Sequence, residues 1–189
     1  MTPSATRPPI ALPAILAALA MLGPFSIDTA FPAFAQMRSD FGVGAGQMQL
    51  VVSAYLLAFA AMSLFHGPIS DAVGRRAVML VGVGVYTAAS IGCALAPNLS
   101  ALLAFRALQG LSAGGGVIVS RTIVRDLYSG AQAQRLMSTV AMIFGLGPAI
   151  APIVGGLILQ VASWHAIFWF LAAFGVLLLI AVGFGLPET

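Results

Sequence analysis

The sequence has 189 residues, 60% of them hydrophobic and only 7% charged, with 8 basic against 5 acidic residues and a formal charge of +3. An ordinary soluble domain carries about 25% charged residues and about 45–50% apolar ones, which excludes a water-soluble fold. The basic excess is carried by arginines at the borders of apolar runs, with no aromatic-laced basic patch, so nothing points to nucleic acid.

A membrane crossing needs about 20 predominantly apolar residues. Six such runs fill nearly the whole chain, about 10–35, 48–66, 77–96, 99–120, 136–160 and 166–186. Spans this long and this rich in Ala, Leu and Gly predict helices, because only a helix satisfies its own backbone in lipid outside a closed barrel. The first run, with Arg7 ahead of it and Ala33-Phe34-Ala35 near its end, has the outline of a signal peptide. Its length and its interruptions at Pro24, Asp28 and Pro32 suit a retained helix better. Asp28 is the only acid well inside a span, and a carboxylate there costs several kcal/mol unless paired or protonated. Phe25 and Pro32 are expected to share its helix face.

In the second run, Gln49 and Tyr55 are equally suited to lining a cavity with Asp28 and to bonding between helices. A link of about ten residues, "GPISDAVGRR" from Gly67 to Arg76, then concentrates Asp71, Arg75 and Arg76 between two apolar runs. The third run holds the lone Cys93, so no internal disulfide is available. The fourth holds Arg106, the only buried base, followed by Gln109, Gly110 and Gly114. Asp28 and Arg106 each lie about seven residues from the outer end of their run, roughly 10 Å deep at about 1.5 Å per residue. Matching depth predicts that they face one aqueous cavity or each other, the minimum equipment of a proton-coupled carrier; snorkelling of both at the margin is the plainer alternative.

The polar stretch from Arg121 to Arg135, with Arg125 and Asp126 inside it, is helix-competent and is expected to run along the membrane face. In the fifth run, Gly147, Ala151 and Gly155 form a small-residue stripe beside Pro148 and Pro152, favouring close packing and bending. "GLSAGGG" and "GVGVYT" lack the GK[ST] ending of a phosphate loop. His66 and His165 sit at span ends, no Cys/His cluster has metal-ligand spacing, and no nucleophile, base and oxyanion set is present. The sequence therefore predicts neither metal nor enzyme. Six arginines, Arg7, Arg75, Arg76, Arg121, Arg125 and Arg135, fall on the side of the termini, and Arg38 alone on the other. By the positive-inside rule both termini are expected in the cytoplasm.

These stretches resemble the major facilitator superfamily of secondary transporters, and within it the drug:proton antiporters of the Bcr/CflA type. "GPISDAVGRRAVML" is similar to the signature between helices two and three, with Gly67, Asp71, Gly74, Arg75, Arg76 and Leu80 matching, Ile69 for Leu, and Ala72 for a common basic residue. "LLAFRALQGLSAG" resembles the helix-four motif. "GLGPAIAPIVGG" resembles the helix-five antiporter motif at Gly147, Pro152, Gly155 and Gly156, with Pro148 and Ala151 between. "SRTIVRDLY" and the closing "LPET" resemble stretches typical of the same group.

The resemblance implies an all-α integral membrane fold, the N-terminal six-helix half of a two-half transporter in the bacterial inner membrane. It implies a proton-driven exporter without cofactor, in which Asp28 and Arg106 serve coupling, Asp71 helps close the cytoplasmic side against the other half, and Arg75 meets Asp126. A second half, whether a C-terminal half or a homodimer mate in parallel, is the expected partner, together with protons, lipid and a small-molecule substrate. A non-transporting membrane interaction protein or a degenerate half-transporter is the alternative.

Overall fold

A computed structural model describes residues 12–186. Arg7, the start of the first expected span and the end of "LPET" lie outside the described residues. The first span, Leu12–Phe41, is broken into α1 (Leu12–Asp28), a 3₁₀ turn (Phe31–Ala33) and α2 (Phe34–Phe41). Five long helices follow: α3 (Ala45–Val73), α4 (Arg75–Ala94), α5 (Leu99–Leu127), α6 (Gly130–Val161) and α7 (Trp164–Gly185). Six stretches are thus long and apolar enough to cross a membrane. Helices α3, α5 and α6 outrun the expected spans, because polar residues at their ends extend each of them past the hydrocarbon. At about 1.5 Å per residue, the 32 residues of α6 reach well beyond a core of about 30 Å.

The break in the first span follows from Pro32, which has no N–H to return to the Asp28 carbonyl four residues back. Pro32 therefore lies past the end of α1 rather than on one helical face with Asp28, correcting the expected alignment. Because the span continues to Phe41, Asp28 lies near its middle rather than roughly 10 Å from its outer end.

The link between the second and third spans is tighter than expected. The ten-residue link at Gly67–Arg76 is in fact one residue: α3 runs through Pro68 to Val73, and Gly74 alone turns the chain at φ 104° into α4. Only glycine takes that backbone without strain. No surface helix covers Arg121–Arg135 either, since α5 continues to Leu127 and α6 begins at Gly130.

The helices pack into one bundle. α5 packs against α3, α1 and α4; α1 packs against α6; and α7 lies behind, against α4 and α1. Glycines set the close approaches: a Cβ at Gly110 would overlap the Tyr55 carbonyl of α3, one at Gly116 the Leu19 carbonyl of α1, and one at Gly155 the Thr29 carbonyl. Within α6, Gly147 and Ala151 lie buried on that same inward face, whereas Pro148 is exposed and Gly156 has no neighbour near its missing Cβ. The motif glycines therefore divide, with Gly147 packing on Pro24 of α1, Gly155 on Thr29 and Pro32 at the break after it, and Gly156 lying outside that contact.

Two apolar clusters fill the bundle, one around Leu16, Leu19, Ile123, Leu136 and Val182 toward the Gly74 end, the other around Phe25, Met37, Met48, Trp164 and Phe168 toward the opposite end. At that opposite end Trp164 is clamped to α2, its Nε1 donating to Asp40 Oδ2 at 2.7 Å and its backbone N–H to Gln36 Oε1 at 2.8 Å. At the Gly74 end Arg76 donates through Nη2 to the Gly183 carbonyl, at the carbonyl-rich end of α7.

Gly110→Ala and Gly116→Ala should each lower the thermal unfolding midpoint in detergent, at a cost of about 1–3 kcal/mol for forced separation of packed helices. Gly84→Ala, where a Cβ meets nothing within 4 Å, should leave it unchanged or raise it.

Candidate functional site

Between the two apolar clusters lies a polar layer built on Arg106, which is fully buried. Helix α5 carries Arg106 inward, where its Nη1 donates to the Ser26 carbonyl of α1 at 3.2 Å and to Gln109 Oε1 at 3.0 Å. Its Nε donates to the Val51 carbonyl of α3 at 3.4 Å. The guanidinium also lies 4.6 Å from the Tyr55 ring centroid and 5.9 Å from that of Phe168 on α7.

Gln109 extends the layer to α4, its Nε2 donating to Ser90 Oγ at 2.7 Å while its Oε1 accepts from Cys93 at 3.4 Å. Ser26 Oγ bonds the Tyr86 hydroxyl, and the Tyr55 hydroxyl donates to the Gly23 carbonyl at 3.2 Å. Burying a charge costs several kcal/mol; carbonyl dipoles and aromatic faces offset it here, and no carboxylate pairs with Arg106 among the described residues. Carbonyls of α1 and α3 and the Gln109 amide oxygen thus converge on one fixed cation, whose Nη2 has no hydrogen-bond partner among the described residues. Arg106, Gln109 and Tyr55 are brought together as one cluster, but a sealed one, which corrects the expectation that Arg106 faces an aqueous cavity.

Asp28 stands apart. It is half-buried, and among the described residues it forms no ion pair and no side-chain hydrogen bond. It is two residues from Ser26, whose carbonyl holds Arg106, yet it does not pair with that guanidinium. As the last residue of α1 it sits where helix carbonyls point outward, a place that favours positive charge. Phe25 does not share its surroundings: its ring packs against Phe170 and Phe174 of α7 at centroid distances of 6.1 and 5.8 Å. Gln49 is exposed at the outer part of α3. Asp28 is the one ionisable member of the expected set left outside a contact among the described residues.

A second charged cluster closes the Gly74 end. Arg75 Nε donates to Asp126 Oδ2 at 3.1 Å, the meeting that the resemblance implied. Its Nη1 donates to Ser70 Oγ at 2.6 Å and pairs with Asp71. One guanidinium therefore pins the ends of α3, α4 and α5 around the single-residue link. Asp71 keeps most of its side chain exposed at 64%, free to meet another surface. Arg121 and Arg125 are exposed on α5 and form no ion pair among the described residues, so they do not join this cluster. Gly67 lies within α3, and no neighbour approaches its missing Cβ.

Sequence reasoning missed Ser26, Tyr86 and Ser90, which complete the Arg106 layer. A signal for the last two was present, since Tyr86, Ser90 and Cys93 recur at helical spacing on one face of α4. Ser26 carried no signal, because its main contribution is a backbone carbonyl.

A six-span bundle with a broken first helix, a buried cationic layer and a charged pin at one end has the build of a polytopic membrane carrier. The Major Facilitator Superfamily profile matches residues 15–189, and the chain belongs to that family, as the N-terminal six-helix half of its fold. It is 38% identical over 182 residues to an MFS-type transporter of Bacillus subtilis, covering 95% of this chain and 45% of the relative. It is 35% identical over 175 residues to multidrug resistance protein D of Escherichia coli (93% and 44%) and 34% identical over 174 residues to a bicyclomycin resistance protein homolog of Haemophilus influenzae (92% and 44%). The chain spans about half the length of these relatives. Spans and family together make it a multi-pass protein of the bacterial inner membrane.

Replacing Arg75 with Gln should lower the unfolding midpoint, since charged hydrogen bonds are worth about 1.5–3 kcal/mol each and two carboxylates would lose their shared partner. Arg121→Gln, on a free side chain, should leave the midpoint unchanged in the same assay.

Proposed function

We propose that this six-span unit is one half of a proton-driven exporter of small, drug-like molecules, working by antiport with a second six-span half and needing no cofactor. The observation that carries the reading is Asp28: an unpaired, half-buried carboxylate at a mid-span helix break. Helix breaks near the bilayer midplane are where secondary transporters place substrate and coupling ions. A carboxylate there exchanges a proton between two faces when the halves rock, and loss of its charge lowers the cost of crossing the hydrophobic barrier. The Arg106 layer, locked by neutral partners, holds α1 in register beside it.

Uneven burial supports a second half. In α1 and α5, 61% of the most apolar window is buried, against 22% in α3 and 17% in α6. Leu57 and Leu64 on α3 and Met142 and Ile153 on α6 are left more than half exposed, two apolar flanks suited to another bundle. Asp71 then acts as the cytoplasmic gate, its exposed carboxylate, held by Arg75 through Oδ1, meeting the second half when that side closes. The drug-resistance names of the relatives favour drug-like cargo, and their doubled length favours a two-half assembly.

Flux decides the matter. In vesicles holding this half with a second six-span half and an imposed pH gradient, Asp28→Asn should abolish gradient-driven drug efflux, while Asp28→Glu retains part of it. Full pH-dependent efflux by the Asn variant would overturn the assignment. The arginine distribution favours a cytoplasmic location for both termini. An impermeant maleimide should therefore label Ser129→Cys, between α5 and α6, only from the cytoplasmic side, and Ser163→Cys, between α6 and α7, only from outside. The buried Cys93 stays silent, and the reverse pattern would invert the topology.

A further inference from the structure

Helices α3 and α4 part from their joint at Gly74 and both lean on α5, leaving a slot of about 310 Å³ between them. We propose that this slot binds one lipid acyl chain from the leaflet on the Gly74 side, as a site separate from any substrate path. Three observations select a lipid chain.

The first is length. On α3 the slot runs from Val73 to Met62 and on α4 from Ala77 to Val85, roughly 12–17 Å at about 1.5 Å per residue. One leaflet contributes half of a hydrocarbon core of about 30 Å, so the slot matches a single chain from headgroup border to bilayer middle.

The second is chemistry. The walls are Val, Ile, Met, Leu, Ala and Gly, with no charged side chain, and Leu111 of α5 lies on the floor. Two polar side chains contribute to the lining. Ser112 Oγ is committed to the Leu108 and Gln109 carbonyls, and the His66 ring is buried beside Gly114 and Gly115, its Nδ1 the one buried side-chain polar atom there without a partner among the described residues. Drug-sized pockets orient their ligands with a few well-placed polar groups. A wall this poor in them suits an unbranched hydrocarbon.

The third is position. The rim residues Val73 and Val81 are 64% and 67% exposed, continuous with the lipid-facing surface. The border end meets the Asp71, Arg75 and Asp126 cluster, at headgroup level. The slot also lies on the flank away from α6, which packs on α1 across the bundle. A chain held there keeps α3 and α4 apart just inside the Gly74 joint.

The test uses the full chain in phosphatidylethanolamine vesicles with phosphatidylglycerol, a trace of the latter bearing a diazirine along one acyl chain. After irradiation, adducts mapped by mass spectrometry should be enriched several-fold on residues 62–73 and 77–85 over equally exposed positions such as Leu177 of α7, which is 65% exposed. Filling the slot with Ala77→Leu and Val85→Phe should remove that enrichment and leave the Leu177 adducts unchanged. Should that double variant fail to fold, Gly82→Ala narrows the slot more gently, its Cβ meeting the Ser112 carbonyl at an ordinary 3.5 Å, and should reduce the enrichment. Adducts distributed in proportion to exposure, or unaffected by filling, would overturn the proposal. So would loss of slot labelling when a second six-span half is added, which would give the slot to that half.

Discussion

A guanidinium sealed inside an apolar bundle sets the terms for everything around it. Arg106 has no carboxylate to neutralise it among the described residues, so its charge must be met by oriented dipoles, and these come from the Ser26 carbonyl, the Val51 carbonyl and the Gln109 amide. Each dipole is fixed in place by a helix backbone or by a further bond, as Gln109 is by Ser90. The closeness this demands is possible because Gly110, one turn along α5, lets the α3 backbone approach at Tyr55. Small residues and a buried cation are therefore two aspects of one contact: remove the glycine and the carbonyls withdraw from the charge.

The same layer divides the bundle into two apolar halves, each closed by a polar fastening. Trp164 is bound to Asp40 and Gln36 at one end, and Arg75 and Arg76 bind α3, α5 and α7 at the other. Such a body is stiff along its length. Among its ionisable groups, Asp28 in the middle stands outside these fastenings.

The six crossings were legible because lipid imposes a simple length rule and only 7% of residues are charged. The Arg75 and Asp126 contact was legible through a family motif. What escaped has a common physical origin. Helix ends extend past the apolar runs because backbone hydrogen bonding does not stop where hydropathy falls, so Gly67–Arg76 reads as a loop and is mostly helix. The Arg106 cavity was misjudged because a buried arginine suggests a carboxylate, while backbone carbonyls, the partners it has, are invisible in a list of side chains. Phe25 was placed with Asp28 by helical spacing, three residues apart on one face, but its ring packs among the aromatic rings of α7.

The fastening of α7 bears on how the protein is made. This helix emerges last of the six, and both of its ends are tied to segments synthesised long before: Trp164 to Asp40, 124 positions earlier, and Gly183 to Arg76, 107 positions earlier. The five preceding crossings must therefore wait in the bilayer with the α4 and α1 faces uncovered, solvated by lipid rather than by protein. Closing contacts so distant in the chain is slow, and insertion of α7 converts a loose set of inserted helices into a finished unit. Errors of assembly should concentrate in that interval, when Asp40 and Arg76 are already in place and their partners are still on the ribosome.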